Sequence, residues 1–375
     1  MTPRRLGGPR PGAASVRTAH RPPTIPSHPA TRRSPDTRHR SRLAAGLVGV
    51  LALTSPGAAG PAQAGLLDRT APAGNATILC TDAPIGFASV NALGFSGTTG
   101  GAGGPTVTVS TAAALEDYAG RPGPYIIRIS GRIPLDDMVT VVANKSILGV
   151  GSTAEITGGG LQMGSTTRPG NNVIIRNIRF TGAEDDSISV TNKAHHVWID
   201  HNDLSDGYDG LLDIKRESDY VTVSWNRFHN HSKSSLVGHS DTYTADVGKL
   251  RVTYHHNFFD GTDQRHPRVR FADPVHVFNN YYRNNALYGI ASTEDAGLMV
   301  EGNYFENVAH PIYVGYDKSG PGRVVERNNV YVNSGTPQTA GTVAEPRGFY
   351  PYTVDPPASL PGMVSGGVGV GKVCG

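Results

Sequence analysis

Two short acidic runs stand out in the chain: Glu184, Asp185 and Asp186 in G-A-E-D-D-S-I-S-V, then Asp209 and Asp213 in Y-D-G-L-L-D-I. Each precedes a short apolar stretch of β character, so stacked strands would bring the two runs together. Hard carboxylate oxygens with no cysteine nearby suit Ca2+, which takes about six to eight oxygen ligands. The plainer alternative is that Asp-Asp and Asp-Gly mark solvated turns, and spacing alone leans that way. Lys233 follows 20 residues after Asp213. Further on, R-H-P-R-V-R at Arg265–Arg270 holds a turn at Pro267 and lets Arg265, Arg268 and Arg270 project together. Guanidinium groups grip carboxylates bidentately. Histidine pairs at His195-His196, His229/His231 and His255-His256 raise a zinc reading. Neighbouring strand residues face opposite ways, which is poor for joint ligation, so these are read as turn and groove residues. Trp198 and Trp225 lie on strands and are assigned to packing rather than sugar stacking.

What must position these groups is a repeat. V-x-[IV]-x-x-N-x-[LF] occurs at Val197–Leu204 and again at Val221–Phe228, bracketing the second acidic run. Asn202, Asn226, Asn257, Asn280, Asn303 and Asn329 each lie five residues after an aliphatic residue and two before an aromatic or aliphatic one. Their spacings are 24, 31, 23, 23 and 26, and Val173–Phe180 reads as an earlier copy shorter by one residue before Asn177. Propeller blades need about 40 residues each, and leucine-rich repeats need an L-x-x-L-x-L pattern that is missing. Units of strand and turn alone stack as coils. The expectation is an all-β chain forming a single-stranded, right-handed parallel β-helix. Inward Val and Ile would make an apolar column, and Asn recurring at one corner would satisfy backbone groups from coil to coil. Successive loops then line one face as a groove fit for a polymer.

The ends differ from this body. Residues 1–64 hold ten Arg and one acid, whereas the remainder has 24 basic and 30 acidic groups. Leu43–Leu53 is an apolar run too short to span a bilayer, and Ala62-Gln63-Ala64 offers a small-x-small cleavage site. Residues 1–64 are therefore expected to be a signal peptide with a basic leader, and 65–375 a secreted, extracellular single domain. The acidic body excludes nucleic acid recognition through a basic surface, no membrane partner is expected, and the chain is expected to be a monomer. Thr98–Gly104 has no G-K-[ST] and reads as a turned cap segment rather than a phosphate loop. Thr111–Tyr118 has the cap and spacing of a short helical lid. Thr336–Gly375, rich in Pro and Gly, is expected to be an irregular tail returning toward the N-terminal region. Cys80 and Cys374 would there form a disulfide, which export permits.

Taken together, several stretches make the chain resemble the polysaccharide lyase family of bacterial pectate lyases and pectin lyases. They are V-W-I-D-H (Val197–His201), D-G-L-L-D-I-K (Asp209–Lys215), V-T-V-S-W-N (Val221–Asn226), H-S-K-S-S-L-V-G-H-S-D (His231–Asp241), V-T-Y-H-H-N (Val252–Asn257) and R-x-P-x-x-R (Arg265–Arg270). The resemblance implies Ca2+ ligands at Asp186, Asp209 and Asp213, with Glu184 as a further acidic ligand. It implies that Lys233 and Arg270, with Arg268 beside them, bind substrate and that Arg265 is the base. His266, where small residues are frequent, is expected to tune the neighbouring guanidinium. The substrate implied is de-esterified polygalacturonate, because the methyl-ester-cleaving relatives lack the acidic cluster.

These residue types suit elimination. Removing the proton beside a uronate carboxylate builds charge on its oxygens, which a Lewis acid and an ammonium donor stabilise. A hydrolase would instead need a carboxyl pair set around a water, and the N-T-D and G-H-G motifs of a polygalacturonase are missing. A non-catalytic glycan-binding module would keep the Asn repeat without the acids and Arg265. An arginine base, normally protonated below about pH 12, implies a rate that climbs into alkaline pH.

Overall fold

The computed structural model describes residues 83–373. The expected signal peptide and cleavage site, and Cys80 and Cys374, lie outside the described residues. Short strands of alternating burial wind into three parallel sheets of ten, nine and eight strands. Every coil from residue 173 to 314 contributes one strand to each sheet in the same order. His195–Asp200, Asp203–Ser205 and Leu212–Ile214 make one such coil, and Asp219–Ser224, Arg227–His229 and Ser235–Val237 the next. The result is the expected parallel β-helix. No helix among the described residues is long and apolar enough to cross a membrane.

Parallel strands lie about 4.8 Å apart, and two side-chain stacks exploit that spacing. Inside, Phe228, Phe259, Tyr282, Phe305 and Tyr331 lie ring on ring, with centroids 4.8, 5.1, 4.4 and 5.1 Å apart. At the corner, the carboxamide oxygen of Asn226 accepts from both the backbone N–H and Nδ2 of Asn202, at 2.9 and 3.0 Å. Asn257, Asn280, Asn303 and Asn329 continue the ladder. The residue before each corner Asn adopts a left-handed φ, as at His201, Trp225 and His256. That turn points the backbone N–H of the Asn along the helix axis, where only a side chain from the next coil can meet it.

One coil departs from the expected pattern. Asn177 does not enter the ladder. It takes the left-handed corner position itself (φ 64°) and donates to Gly149 O and Gly151 O, while Ile178 occupies the ladder slot and its N–H meets Asn202 Oδ1 at 3.1 Å. The coil is of normal length; the Asn is displaced by one residue.

The first coils are closed by the helix Ala112–Gly120, which buries Leu115 and Ala119 against the core and is capped by Thr111. The tail runs along the outside and back toward the early coils: Asp355 N bonds Asn279, Gly369 N meets Trp225 O, and Gly371 N meets Asn177 Oδ1. It is not wholly irregular, since Leu360–Gly367 is helical. Leu360, Val364 and Val368, spaced at i, i+4 and i+8, pack on Phe258 and Tyr281, and that apolar stripe outweighs the Pro and Gly content.

Asn257→Ala leaves groups of two coils unpaired at a fully buried corner. With each buried orphan costing about 1–3 kcal/mol, the expected loss is about 3 kcal/mol in denaturant unfolding. Asn329→Ala, at the half-buried end of the ladder, is expected to cost markedly less.

Candidate functional site

The eight-stranded sheet carries the site. Its outward column runs Gln162, Ser189, Asp213, Leu236, Arg268, Ala291, Tyr313, one residue per coil. The bends that enter these strands form one lip: Asp185 and Asp186, then Asp209, then Lys233, then Arg265, then Tyr288. Strand register thus sets the sequence of charges along the groove, and the bends set their direction.

Asp185, Asp186 and Asp209 converge, each offering a carboxylate oxygen within 4.8 Å of the others. Asp185 and Asp186 are consecutive, yet both join the cluster because they sit in a bend and not in a strand. Glu184 is exposed and outside this group; Asp185 stands where the sequence reading placed it. Asp213 lies beside the group, sharing Lys215 with Asp186: the ammonium is 2.6 Å from Asp186 and 3.6 Å from Asp213. Gly210 makes this approach possible. A Cβ there would come 2.6 Å from Asp213 Oδ1 and 3.0 Å from Asp186 Oδ1.

Electrostatically the cluster is under stress. Burial, then the Asp186 charge, push the Asp213 carboxyl well above the usual range, and burial with the same neighbour raises Asp185. Asp209 moves the opposite way, held low by its hydrogen bond to Lys233 at 2.8 Å. For Lys215, burial works against the charge, and Asp213 and Asp186 together outweigh it, so the group stays above its ordinary value. Two ammonium groups therefore sit on carboxylates that repel one another. An all-oxygen donor set with such crowding fits a hard divalent cation such as Ca2+.

Arg265 occupies the next coil along the lip, in a left-handed conformation (φ 65°) fixed by Ser235 N on its carbonyl at 2.7 Å. Among the described residues its side chain has no ion pair, and its charge acts on both Asp209 and Asp213. The three arginines of the R-H-P-R-V-R stretch do not project alike. Arg268 is buried, donating to Ser319 Oγ at 2.5 Å beneath Tyr316, because the loop after Ile312–Val314 folds over it. Arg270 pairs with Asp241, which also accepts from Ser319 at 2.8 Å.

His266 turns inward, away from the guanidinium it was expected to tune. It is fully buried; Thr262 Oγ1 lies 2.7 Å from Nε2, and Nδ1 faces the carbonyls of Tyr288 and Gly289 at 2.9 and 3.0 Å. Burial pushes its pKa down to about 3. It is a neutral pin holding the Arg265 turn to the next coil. The pairs His195-His196 and His255-His256 lie not in the groove but on the ten-stranded sheet, near the segments at Phe87 and Tyr350. Left-handed φ at His196 and His256 brings each pair's Nδ1 atoms within 3.0 Å, where a regular strand would separate them. Both tryptophans are packing residues: Trp198 bonds Ser224, and Trp225 is stacked between His201 and His256.

A family model described as pectate lyase matches residues 59–356. A pectate trisaccharide-lyase of Thermotoga maritima is 38% identical over 343 residues, covering 78% of this chain and 89% of the relative. One from Bacillus licheniformis is 36% identical over 310 residues, covering 77% and 86%. Among solved structures, a pectate lyase from Bacillus sp. N165 in complex with trigalacturonate superposes with a TM-score of 0.69 at 31% identity, covering 78% of this chain and all of that one.

Two outcomes are expected. Gly210→Ala drives Asp186 and Asp213 apart and weakens Ca2+ binding at least tenfold, measured by calorimetry. His266 makes the fold acid-sensitive: its unfolded value near 6.5 exceeds the folded one of about 3, so only the unfolded chain gains a proton as pH falls from about 6.5. Stability is lost through that window, by roughly 4 kcal/mol from this group at its lower end. His266→Gln is expected to be less stable at pH 8 but to show a shallower decline of Tm between pH 6.5 and 4.

Proposed function

Because the chain belongs to the pectate lyase family, we propose that it is a secreted, calcium-dependent enzyme that cleaves de-esterified polygalacturonate by β-elimination. The observation that carries this reading is the gathering of Asp185, Asp186 and Asp209 on one groove lip with Lys233 and with Arg265, which has no ion pair among the described residues, and with Asp213 beside them on the strand. Asp186, Asp209 and Asp213, with Asp185, would hold the ion. When bound, calcium would supply Lewis-acid polarisation of the substrate carboxylate.

The chain's own residues perform the rest. Lys233, released from Asp209 as the uronate enters, donates to the substrate carboxylate and orients the ring. Arg270, held by Asp241, anchors a second carboxylate along the chain. Arg265 in its neutral form takes the proton from C5; the C5–H electron pair becomes the C4=C5 double bond, and the C4–O bond breaks. The departing glycosidic oxygen takes a proton from water. One product ends in a 4,5-unsaturated uronate, the other in a free reducing end, because the departing oxygen stays on C1 of its own sugar. Short unsaturated oligogalacturonides are the expected products, in keeping with relatives whose name specifies trisaccharide release.

Incubation with polygalacturonate is expected to raise absorbance near about 235 nm, the signature of a conjugated enoate formed by proton abstraction. Chelation should abolish the rise and added Ca2+ restore it. Arg265→Lys should lower kcat at least 100-fold, and the wild-type rate should climb from pH 7 toward pH 10, since only a neutral guanidine accepts the proton. Reducing ends without the absorbance would indicate hydrolysis and overturn the reading.

A further inference from the structure

Tyr288 occupies the lip position directly after Arg265. His266 N meets Gly289 O at 3.1 Å and its Nδ1 meets Tyr288 O at 2.9 Å, so the two segments run side by side with Arg265 opposite Tyr288. A tyrosine in a groove lip would ordinarily be wet at its hydroxyl. Here the side chain is fully buried, its ring packed 4.5 Å from that of Tyr316 and 5.8 Å from that of Tyr313.

No side chain or backbone group among the described residues meets its hydroxyl with full hydrogen-bond geometry, although the backbone N–H of Arg265 faces it, and the buried Nε of Arg265 has no partner either. A buried phenol without a partner costs about 1–3 kcal/mol, and aromatic packing alone would be served as well by phenylalanine. Burial raises the phenol's pKa, against the opposing charges of Arg268 and then Arg265, so the O–H is retained at any pH where the groove works. The two orphans belong to adjoining residues on consecutive coils. Arg268 shares the neighbourhood and its buried Nε is likewise without a partner, but its guanidinium is already committed to Ser319 through a terminal nitrogen, whereas that of Arg265 has no ion pair among the described residues.

We infer that Tyr288 is a positioning residue for Arg265, its phenolic oxygen pairing with the guanidinium Nε when substrate orders that side chain. The phenol suits this task in both protonation states of its partner, because a hydroxyl accepts from N–H and donates to a bare nitrogen. Holding Nε from behind turns the terminal nitrogens toward the groove, where the C5 proton would lie. The pairing acts on the reacting geometry rather than on substrate affinity, which rests with Lys233, Arg270 and the ion site. This inference rests on Arg265 acting as the base.

The test is Tyr288→Phe in the full-length protein, assayed on polygalacturonate with saturating Ca2+. The expected result is a kcat lowered about tenfold, with KM within about twofold of wild type and Tm unchanged or raised. Tyr288→Leu, which also removes the ring, serves as a packing control and should lower Tm. Unchanged kcat in Tyr288→Phe would overturn the inference, as would a kcat loss matched by a fall in Tm or a rise in KM. A wild-type enzyme that forms no unsaturated product would instead sink the lyase reading itself, so the two failures are told apart.

Discussion

In-register stacking of parallel coils at about 4.8 Å is the constraint on which the rest of this molecule depends. It is the distance at which aromatic rings lie face to face and at which one carboxamide oxygen reaches the backbone and side-chain N–H groups of the coil before it. The aromatic column from Phe228 to Tyr331 and the Asn ladder from Asn202 to Asn329 satisfy that distance repeatedly. A slip of one residue would turn every inward side chain outward, so register is specified at each coil by two chemically different stacks. Asn177 illustrates how strict the corner is: displaced by one residue, it leaves the ladder and finds other partners, and the coil keeps its register.

The same spacing concentrates charge. Loops that enter successive strands of one sheet must lie side by side, whatever they carry. On the groove lip this gathers Asp185, Asp186, Asp209, Lys233 and Arg265, with Asp213 on the adjoining strand and Lys215 just after it. Burial of Asp213 beside the Asp186 charge makes its ionisation unfavourable; Lys215 contacts both of these acids and Lys233 contacts Asp209, which relieves part of the crowding. A site of this kind gains from a divalent cation. The energy stored in mutual repulsion is available for binding because the scaffold does not let the loops move apart.

Rigidity of the turn around Arg265 has a separate source. His266, buried and neutral, ties it to Tyr288 and Gly289, and Ser235 ties it to the preceding coil. The cationic side chain at its tip is thereby freed from structural duty, unlike Arg268 and Arg270, which are engaged by Ser319 and Asp241. Within one six-residue stretch, three arginines have three environments.

The repeat and its consequence, a stack of coils whose loops line one face, were legible in the chain itself, because a period of 23 to 31 residues with alternating apolar positions admits few folds; that the acids and Arg265 share one site was implied only by the resemblance to pectate lyases. The helical lid at Ala112–Gly120 was readable too, from its cap and spacing. Sequence could not choose between Glu184 and Asp185, since whether consecutive acids converge depends on a bend, and bends arise from hydrogen bonds to neighbouring coils. Nor could it separate Arg265 from Arg268, or show His266 facing inward and the paired histidines lying away from the groove. Those outcomes hinge on left-handed residues such as His196, His256 and Arg265, where a single dihedral reverses the direction of a side chain. Local pattern determines which residues share a sheet; long-range contacts decide where the exceptional residues of that pattern point.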